Sequence, residues 1–386
     1  MPTLLHCADL HLSRDEQEYG ESVLREILTH ARDCDALLLC GDTFDSFADL
    51  EALQPRFVEL TAEILGADTA AGEAGHGAAR RDESGEPNGG SPCRVLLLPG
   101  NHEYLRAPKG VAPGHESPFA RRSWGRIEVL DAWPFGHTRL QDGDIISIPH
   151  SDGYSSYPEW EIPERSGSWR IVMAHAAVIG LHYLGPAEEP DGGAMDPDIF
   201  RHCRADYAAM GHIHRAAAGS FGTARVAFPG SARVWRKHET GPRQVLRLQT
   251  GNSGVSAERI VLQSAGEFRT ITAAVELDGS CTLPRPDTDI TGNDWVHIQL
   301  SGVVENDKVI DDQLPGLTRQ FKARTVSTDR SEVLVLRGIR ENAFVQRFEE
   351  RWRQRAKDAG AEEAELLLRA RAAGLREIYS LLQEQT

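Results

Sequence analysis

Five apolar runs have the length and uninterrupted hydrophobicity of strands buried on both faces: Leu4 to Ala8, Ala36 to Cys40, Val95 to Leu98, Ile171 to Ala174, and Tyr207 to Met210. Between the first three, apolar residues recur at helical spacing. Val23, Ile27, Leu28 and Ala31 do so within Glu21 to Asp33, and the pattern returns from Leu50 to Leu65. The order strand, helix, strand, helix, strand predicts a layered α/β core. Further on, Ala224 to Phe228, Gln244 to Leu248 and Arg259 to Leu262 alternate or cluster apolar residues as antiparallel strands do, which closes a second sheet. Residues 66–92 interrupt the pattern. They are rich in Gly, Ala, Ser, Glu and Asp with almost nothing to bury, and are expected to form a disordered surface insertion.

The pattern changes beyond a first domain spanning 1–264. Arg269 to Leu277, Trp295 to Val304 and Val333 to Arg337 are strand-like pieces joined by polar connectors, which predicts a small α+β domain over 265–340. From Glu341 the chain turns helical through 341–386. Phe344, Phe348 and Trp352 repeat every four residues, and after Gly360 a second helix gathers Leu366, Leu367, Ala370, Ile378, Leu381 and Leu382 on a broad apolar face. Such faces either pack on their own domain or receive a partner's helices.

The chain has 386 residues and a formal net charge of -16, which argues against nucleic-acid binding over its whole surface. Charge is unevenly placed, however. Tyr104 to Arg126 carries Arg106, Lys109, Arg121, Arg122 and Arg126 against Glu116 alone. Arg201 to Arg247 carries nine Lys/Arg against Asp206 and Glu239. Six cysteines without CxxC pairing sit mostly in apolar runs, the usage of reduced, buried thiols, so a cytoplasmic site is expected. No leader precedes the first strand and no run approaches membrane-spanning length, so neither secretion nor membrane insertion is expected.

Chemistry is concentrated where the apolar runs end. Asp9-Leu10-His11, Gly41-Asp42, Gly100-Asn101-His102-Glu103, His175 and Gly211-His212-Ile213-His214 each follow one of the five predicted strands. Any one of these is weak, but five in this order supply ligands for two neighbouring divalent ions that clamp a phosphoryl group and activate an attacking water. Asp9 and His11 alternate across one residue and, with His214, suit a first ion. Asp42 is the natural bridge, and Asn101, His175 and His212 complete a second site. This oxygen and imidazole shell suits manganese, iron, zinc or, less well, magnesium. His102 is expected to face the substrate as a catalytic group, stabilising the pentacoordinate phosphorus or protonating the leaving oxygen. His6 and His150 sit close to strand ends and are read as packing residues.

The pattern DxH, GD, GNH(D/E), H, GHxH formed by Asp9 to His214 resembles the calcineurin-like metallophosphoesterase superfamily. The phrases His6-Cys7-Ala8-Asp9-Leu10-His11-Leu12, Gly41-Asp42-Thr43-Phe44-Asp45 and Gly211-His212-Ile213-His214-Arg215 look most like its SbcD and YhaO group of DNA-repair nuclease subunits. Motif-level likeness covers Met1 to Trp235, and the C-terminal third agrees in layout only. The resemblance implies a four-layer α/β/β/α sandwich with a small capping domain and C-terminal helices. It also implies a centre of two divalent ions, for which manganese is the expected metal, and a metal-dependent exonuclease with some endonuclease activity, acting on DNA. Its implied partner is an SbcC-like coiled-coil ATPase docked on Glu341 to Gln385; a second copy of the chain is a candidate partner as well. Glu103 stands where the group usually has Asp, and residues 66–92 have no counterpart in the pattern. The alternative, a stand-alone phosphatase or phosphodiesterase for a nucleotide or other small phosphoester, would share every ligand and agrees with the acidic composition. A scaffold without activity is at odds with a complete ligand set.

Overall fold

Alternate residues of the buried strands serve two different cores, which is why their apolar runs are unbroken. In the computed structural model the chain divides into two compact units, residues 1–265 and 266–386. The described residues are 1–66, 80–81, 87–88, 93–105, 123–151, 154–181, 194–251, 254–276, 279–283, 290–304, 306, 308–335, 342–357 and 359–384. The insertion expected at 66–92 therefore lies almost wholly outside the described residues, apart from a two-residue antiparallel ladder.

In chain order, the first unit comprises β1 (Thr3–Cys7), α1 (Gln17–Ala31), β2 (Ala36–Cys40), α2 (Phe47–Leu65), the short β3 (Arg80–Arg81) and β4 (Pro87–Asn88), β5 (Arg94–Leu98) and α3 (Asn101–Leu105). It continues with β6 (Ile127–Val129), β7 (Gly136–Leu140), β8 (Gly143–Ile148), β9 (Trp169–His175), α4 (Asp198–His202), β10 (Tyr207–Gly211), β11 (Ala217–Phe221), β12 (Ala224–Phe228), β13 (Gln244–Gly251) and β14 (Gly254–Val261). Two six-stranded sheets result, ordered β14-β13-β1-β2-β5-β6 and β11-β12-β10-β9-β8-β7.

On the first sheet, Leu37 and Leu39 face the helix side and pack with Val23, Leu24, Ile27 and Leu28 of α1 and Leu50, Phe57 and Leu60 of α2. Their neighbours Leu38 and Cys40 face the other way, into a core shared with Ile171, Met173, Tyr207 and Ala209 of the second sheet. Val172, Ala174, Ala208 and Met210 turn to the far side, against Ile199 and Phe200 of α4. Helices, sheet, sheet and an outer helical layer are thus stacked, the sandwich anticipated from the motifs. Ser46 caps α2, its Oγ accepting from the amide of Asp49 at 3.2 Å.

Strands β1, β2 and β5 run parallel, as do β8, β9 and β10. Parallel strands bring their carboxyl ends to a common edge, where ligands bind in open α/β sheets. All five motifs sit there.

The second unit holds β15 (Phe268–Val275), β16 (Cys281–Thr282), β17 (Trp295–Val304), α5 (Lys308–Thr318), β18 (Thr325–Val335), α6 (Ala343–Ala356) and α7 (Ala361–Glu384). Its sheet is ordered β16-β15-β17-β18. The terminal helices turn part of their apolar faces inward: Val345 and Leu375 are buried with Val303, and Phe348 and Ile378 pack against them. Arg371, 1% exposed, donates to both oxygens of Glu349 at 2.8 Å and to Glu276 at 2.7 Å. Among the described residues no helix is long and apolar enough to cross a membrane.

In the first unit, fully buried Arg170 donates to Asp144 at 3.1 Å and to the carbonyls of Cys203 and Pro163. Removing one partner of such a pair strands the other charge away from water. Arg170→Leu is expected to lower unfolding stability by about 3–5 kcal/mol, measured by urea denaturation. A loss below 1 kcal/mol would show that Asp144 needs no counter-charge.

Candidate metal centre

The loops that leave β1 and β2 are zipped together by their backbones. Asp9 N donates to Gly41 O at 3.1 Å, His11 N to Asp42 O at 2.9 Å and Leu12 N to Thr43 O at 2.9 Å. This lays Asp9, His11 and Asp42 along one seam. All three adopt positive φ, at 52°, 46° and 47°, and His212 follows at 94°. Left-handed backbone at non-glycine residues is uncommon and collects at functional sites, where surrounding structure holds it.

Gly41 (φ 87°) and Gly100 allow the close approach. A Cβ on Gly41 would overlap the His175 ring, and one on Gly100 would overlap the Asp42 carboxylate.

The structure brings all seven predicted ligands together. Asp9, His11 and His214 place ligand atoms within 4.8 Å of one another, and so do Asp9, Asp42 and His175. Asn101 Oδ1 lies 2.9 Å from His175 Nε2 and 3.1 Å from His212 Nδ1. Asp42 Oδ2 lies 3.2 Å from His175 Nε2 and 4.0 Å from His11 Nε2, so it faces both groups. Asp9 is central too, with Oδ1 4.0 Å from both His175 and His214, and both its oxygens accept from the His212 amide.

The donor chemistry fits divalent ions. His175 Nδ1 lies 2.9 Å from the Cys40 carbonyl, which can only accept, so that nitrogen carries the proton. In the neutral ring Nε2 is then a lone pair aimed at two further acceptors, Asn101 Oδ1 and Asp42 Oδ2. His214 repeats the arrangement: Nδ1 lies 2.6 Å from Glu239 Oε1, and Nε2 meets His11 Nε2 at 3.1 Å. Buried acceptors facing acceptors call for cations between them.

The electrostatics follow the same logic. Burial would lower the His175 imidazole, but the charge and hydrogen bond of Asp42, with Asp9, hold it up at about 9. Asp42 lies well below the usual carboxylate range despite its burial, because His175, His11 and His102 surround it. Burial raises Asp9 to about 6 against the pull of His175 and His214. His212 is pushed down to about 3 by burial and by His175.

His102 is placed differently from the seven. Its amide donates to Asp42 Oδ1 at 2.9 Å and its Nδ1 meets the Asp45 carbonyl at 2.8 Å. One of its ring nitrogens also lies within 4.8 Å of ligand atoms of His11 and Asp42. Glu103 reaches back instead to the amides of Gly100 at 2.7 Å and Phe44 at 3.1 Å, clasping the loop that presents Asn101. Burial and then Asp42 raise its carboxyl to about 8. His6 bonds Tyr207 Oη and Met210 O within the core, whereas His150 Nδ1 meets the carbonyl of His175 at 3.0 Å.

Sequence reasoning missed the groups behind the ligands. Glu239 holds His214, Trp235 stacks on His11 with 4.0 Å between ring centroids, and Asp45 Oδ1 faces His11 Nδ1 at 3.4 Å. Arg233, 1% exposed, donates to the carbonyls of Leu10 and His11. Asp45 stands inside a motif phrase; Glu239, 25 residues past His214, carries no local signal.

A family model described as calcineurin-like phosphoesterase matches residues 2–216. The chain belongs to the calcineurin-like phosphoesterase family. Members are dimetal-dependent phosphoester hydrolases, and the acceptor clusters here are their counterpart. No curated protein matches the chain. Solved structures similar to it include purple acid phosphatase PPD1 from yellow lupin (Lupinus luteus) seeds, 12% identical, TM-score 0.43, covering 69% of this chain and 52% of that one. A dimetal phosphatase from Danio rerio is 9% identical with TM-score 0.37, covering 68% and 99%. A predicted phosphoesterase from Streptococcus pneumoniae TIGR4 is 13% identical with TM-score 0.29, covering 67% and 89%.

For this phosphoesterase, Gly41→Ala is expected to displace the His175 ring, cut bound metal from two equivalents toward one and cost on the order of 1–3 kcal/mol of stability. Metal analysis and thermal melting check it. Two retained equivalents would show that the loop yields without disturbing the ligand.

Proposed function

We propose that this phosphoesterase is a DNA phosphodiesterase, an exonuclease with endonuclease capacity, working with a manganese pair as the nuclease subunit of an SbcCD-like complex. The observation that carries the substrate class is the open cleft of about 810 Å³ over the centre, lined by Arg215, Arg236, Lys237, Arg243 and Arg259. Its acidic lining residues are Asp42, a ligand, and Glu239, engaged by His214. A chain of net charge -16 that gathers five cations around one cleft suits a substrate with several phosphates in a row. Of the basic residues counted in Tyr104 to Arg126, only Arg126 falls among the described residues.

Asp9, His11 and His214 would hold one ion and Asn101, His175 and His212 the other, with Asp42 between them. The bound pair supplies Lewis-acid polarisation of the phosphoryl group and an attacking water of lowered pKa. Asn101 is fixed by α3 and His102 by its Nδ1–H to the Asp45 carbonyl. A proton on Nε2 then makes the His102 ring a cationic donor for charge developing on the phosphoryl or leaving oxygen. Exposed Phe344, Leu366 and Leu381 on α6 and α7 support docking of a partner's helices there. The overall acidity favours the second reading, a stand-alone enzyme for a nucleotide or other small phosphoester.

With manganese, the purified protein is expected to degrade labelled single- or double-stranded DNA, and Asp42→Ala to abolish this. Hydrolysis of small esters with DNA untouched, even with the ATPase added, would establish the second reading. Lys237→Glu with Arg259→Glu is expected to lower DNA cleavage about tenfold, more than small-ester turnover, and to flatten its salt dependence. Equal losses on both substrates would remove the cleft from DNA recognition. Phe344→Glu with Leu381→Glu should abolish co-elution with an SbcC-like ATPase at unchanged metal content; retained co-elution would move the docking surface elsewhere.

A further inference from the structure

One segment, Ser231 to Glu239, holds both imidazoles of the first ligand trio from behind. Trp235 lies flat on His11, with 4° between the planes, and edge-on to His214 at 5.2 Å. It also meets the His102 ring edge-on at 5.2 Å and the Arg236 guanidinium, 4.2 Å from the ring centroid. Four residues on, Glu239 Oε1 accepts the Nδ1–H of His214, while Oε2 accepts the Trp235 amide at 2.9 Å and Ser231 Oγ–H at 3.3 Å. Glu239 therefore cannot swing away from His214 without breaking the turn that presents Trp235.

The second trio has weaker support. A neutral carbonyl, Cys40 O, accepts from His175, whereas the 3.1 Å contact of His212 Nδ1 with Asn101 Oδ1 joins two ligands of the trio and gives no backing from behind. A carboxylate behind a ligating imidazole fixes its tautomer and raises the basicity of the other nitrogen; a carbonyl does mainly the first. The first trio also has Asp45 Oδ1 beside His11 Nδ1, at 3.4 Å.

We propose that Glu239 and Trp235 are positioning residues that make the Asp9–His11–His214 site the tighter of the two, so that the two divalent ions bind in order. This rests on the dinuclear reading of the centre. Both residues act through the ligands: Trp235 lies outside the cleft lining, and the Glu239 carboxylate at the cleft wall is taken up by His214, Ser231 and the Trp235 amide. Glu239 acts through His214 and Trp235 through His11, so their removal changes one ion's affinity and leaves the other's.

The test is a titration of the full-length, chelator-stripped protein with Mn²⁺ by calorimetry and with Co²⁺ by d–d absorption. The wild type is expected to bind two equivalents with separable affinities. Glu239→Gln, nearly the same shape, should weaken the tighter equivalent by about 10- to 100-fold, alter the Co²⁺ bands of that equivalent alone and leave the other affinity in place. Glu239→Asp keeps the charge and should fall between the two, and it replaces the Gln variant should that one fail to fold. Trp235→Leu should act on the same equivalent. Wild-type affinities in these variants, or equal loss from both sites, overturns the proposal. A wild type that binds fewer than two equivalents overturns the dinuclear reading itself, before any variant is compared.

Discussion

Carboxylates and imidazoles crowd at the common carboxyl edge of two parallel-stranded regions, and the groups that meet there are mostly acceptors. His11 Nε2 and His214 Nε2 stand 3.1 Å apart, and His175 Nε2 points at both Asn101 and Asp42. Left to themselves such groups repel or take up protons, which is what the raised position of His175 beside Asp42 expresses; Asp9 is raised chiefly by its burial. The fold holds them in place through the backbone. The β1 and β2 loops are zipped amide to carbonyl, and four ligand residues sit at positive φ. Strain of this kind persists only where packing over-determines it.

That packing is supplied by the sandwich. Each buried strand gives one face to a helical layer and the other to the core between the sheets, so strand ends cannot shift independently. Glycine at Gly41 and Gly100 then allows contact distances that any side chain would forbid. Buried Arg233 ties the carbonyls of Leu10 and His11 to a segment more than two hundred residues later. The centre is therefore a property of the whole first unit.

Above the centre, the composition of the chain and its local charge point in opposite directions. Net acidity keeps most of the surface from polyanions, while the cleft presents arginine and lysine directly over the ligands. A basic cleft on an acidic chain favours phosphate entry at the reacting centre, and rate rather than affinity gains from it.

The local sequence already determined a good deal. Uninterrupted runs such as Ala36 to Cys40 have the length of strands buried on both faces, and each predicted ligand stood just past such a run, because loops at strand ends are where a rigid sheet can present polar groups. Hence the layered fold and the seven converging side chains were legible from the runs and the residues that follow them, and the family from the resemblance of those motifs to a known pattern. What spacing could not contain was anything that depends on two distant segments meeting. Glu239 behind His214 and Trp235 flat on His11 look, in sequence, like ordinary polar or aromatic loop residues, and the motif position of Glu103 does not disclose that it turns back onto the Gly100 and Phe44 amides. The tertiary structure decided their roles, since a hydrogen bond or a ring stack is fixed by position in space and leaves no periodicity along the chain.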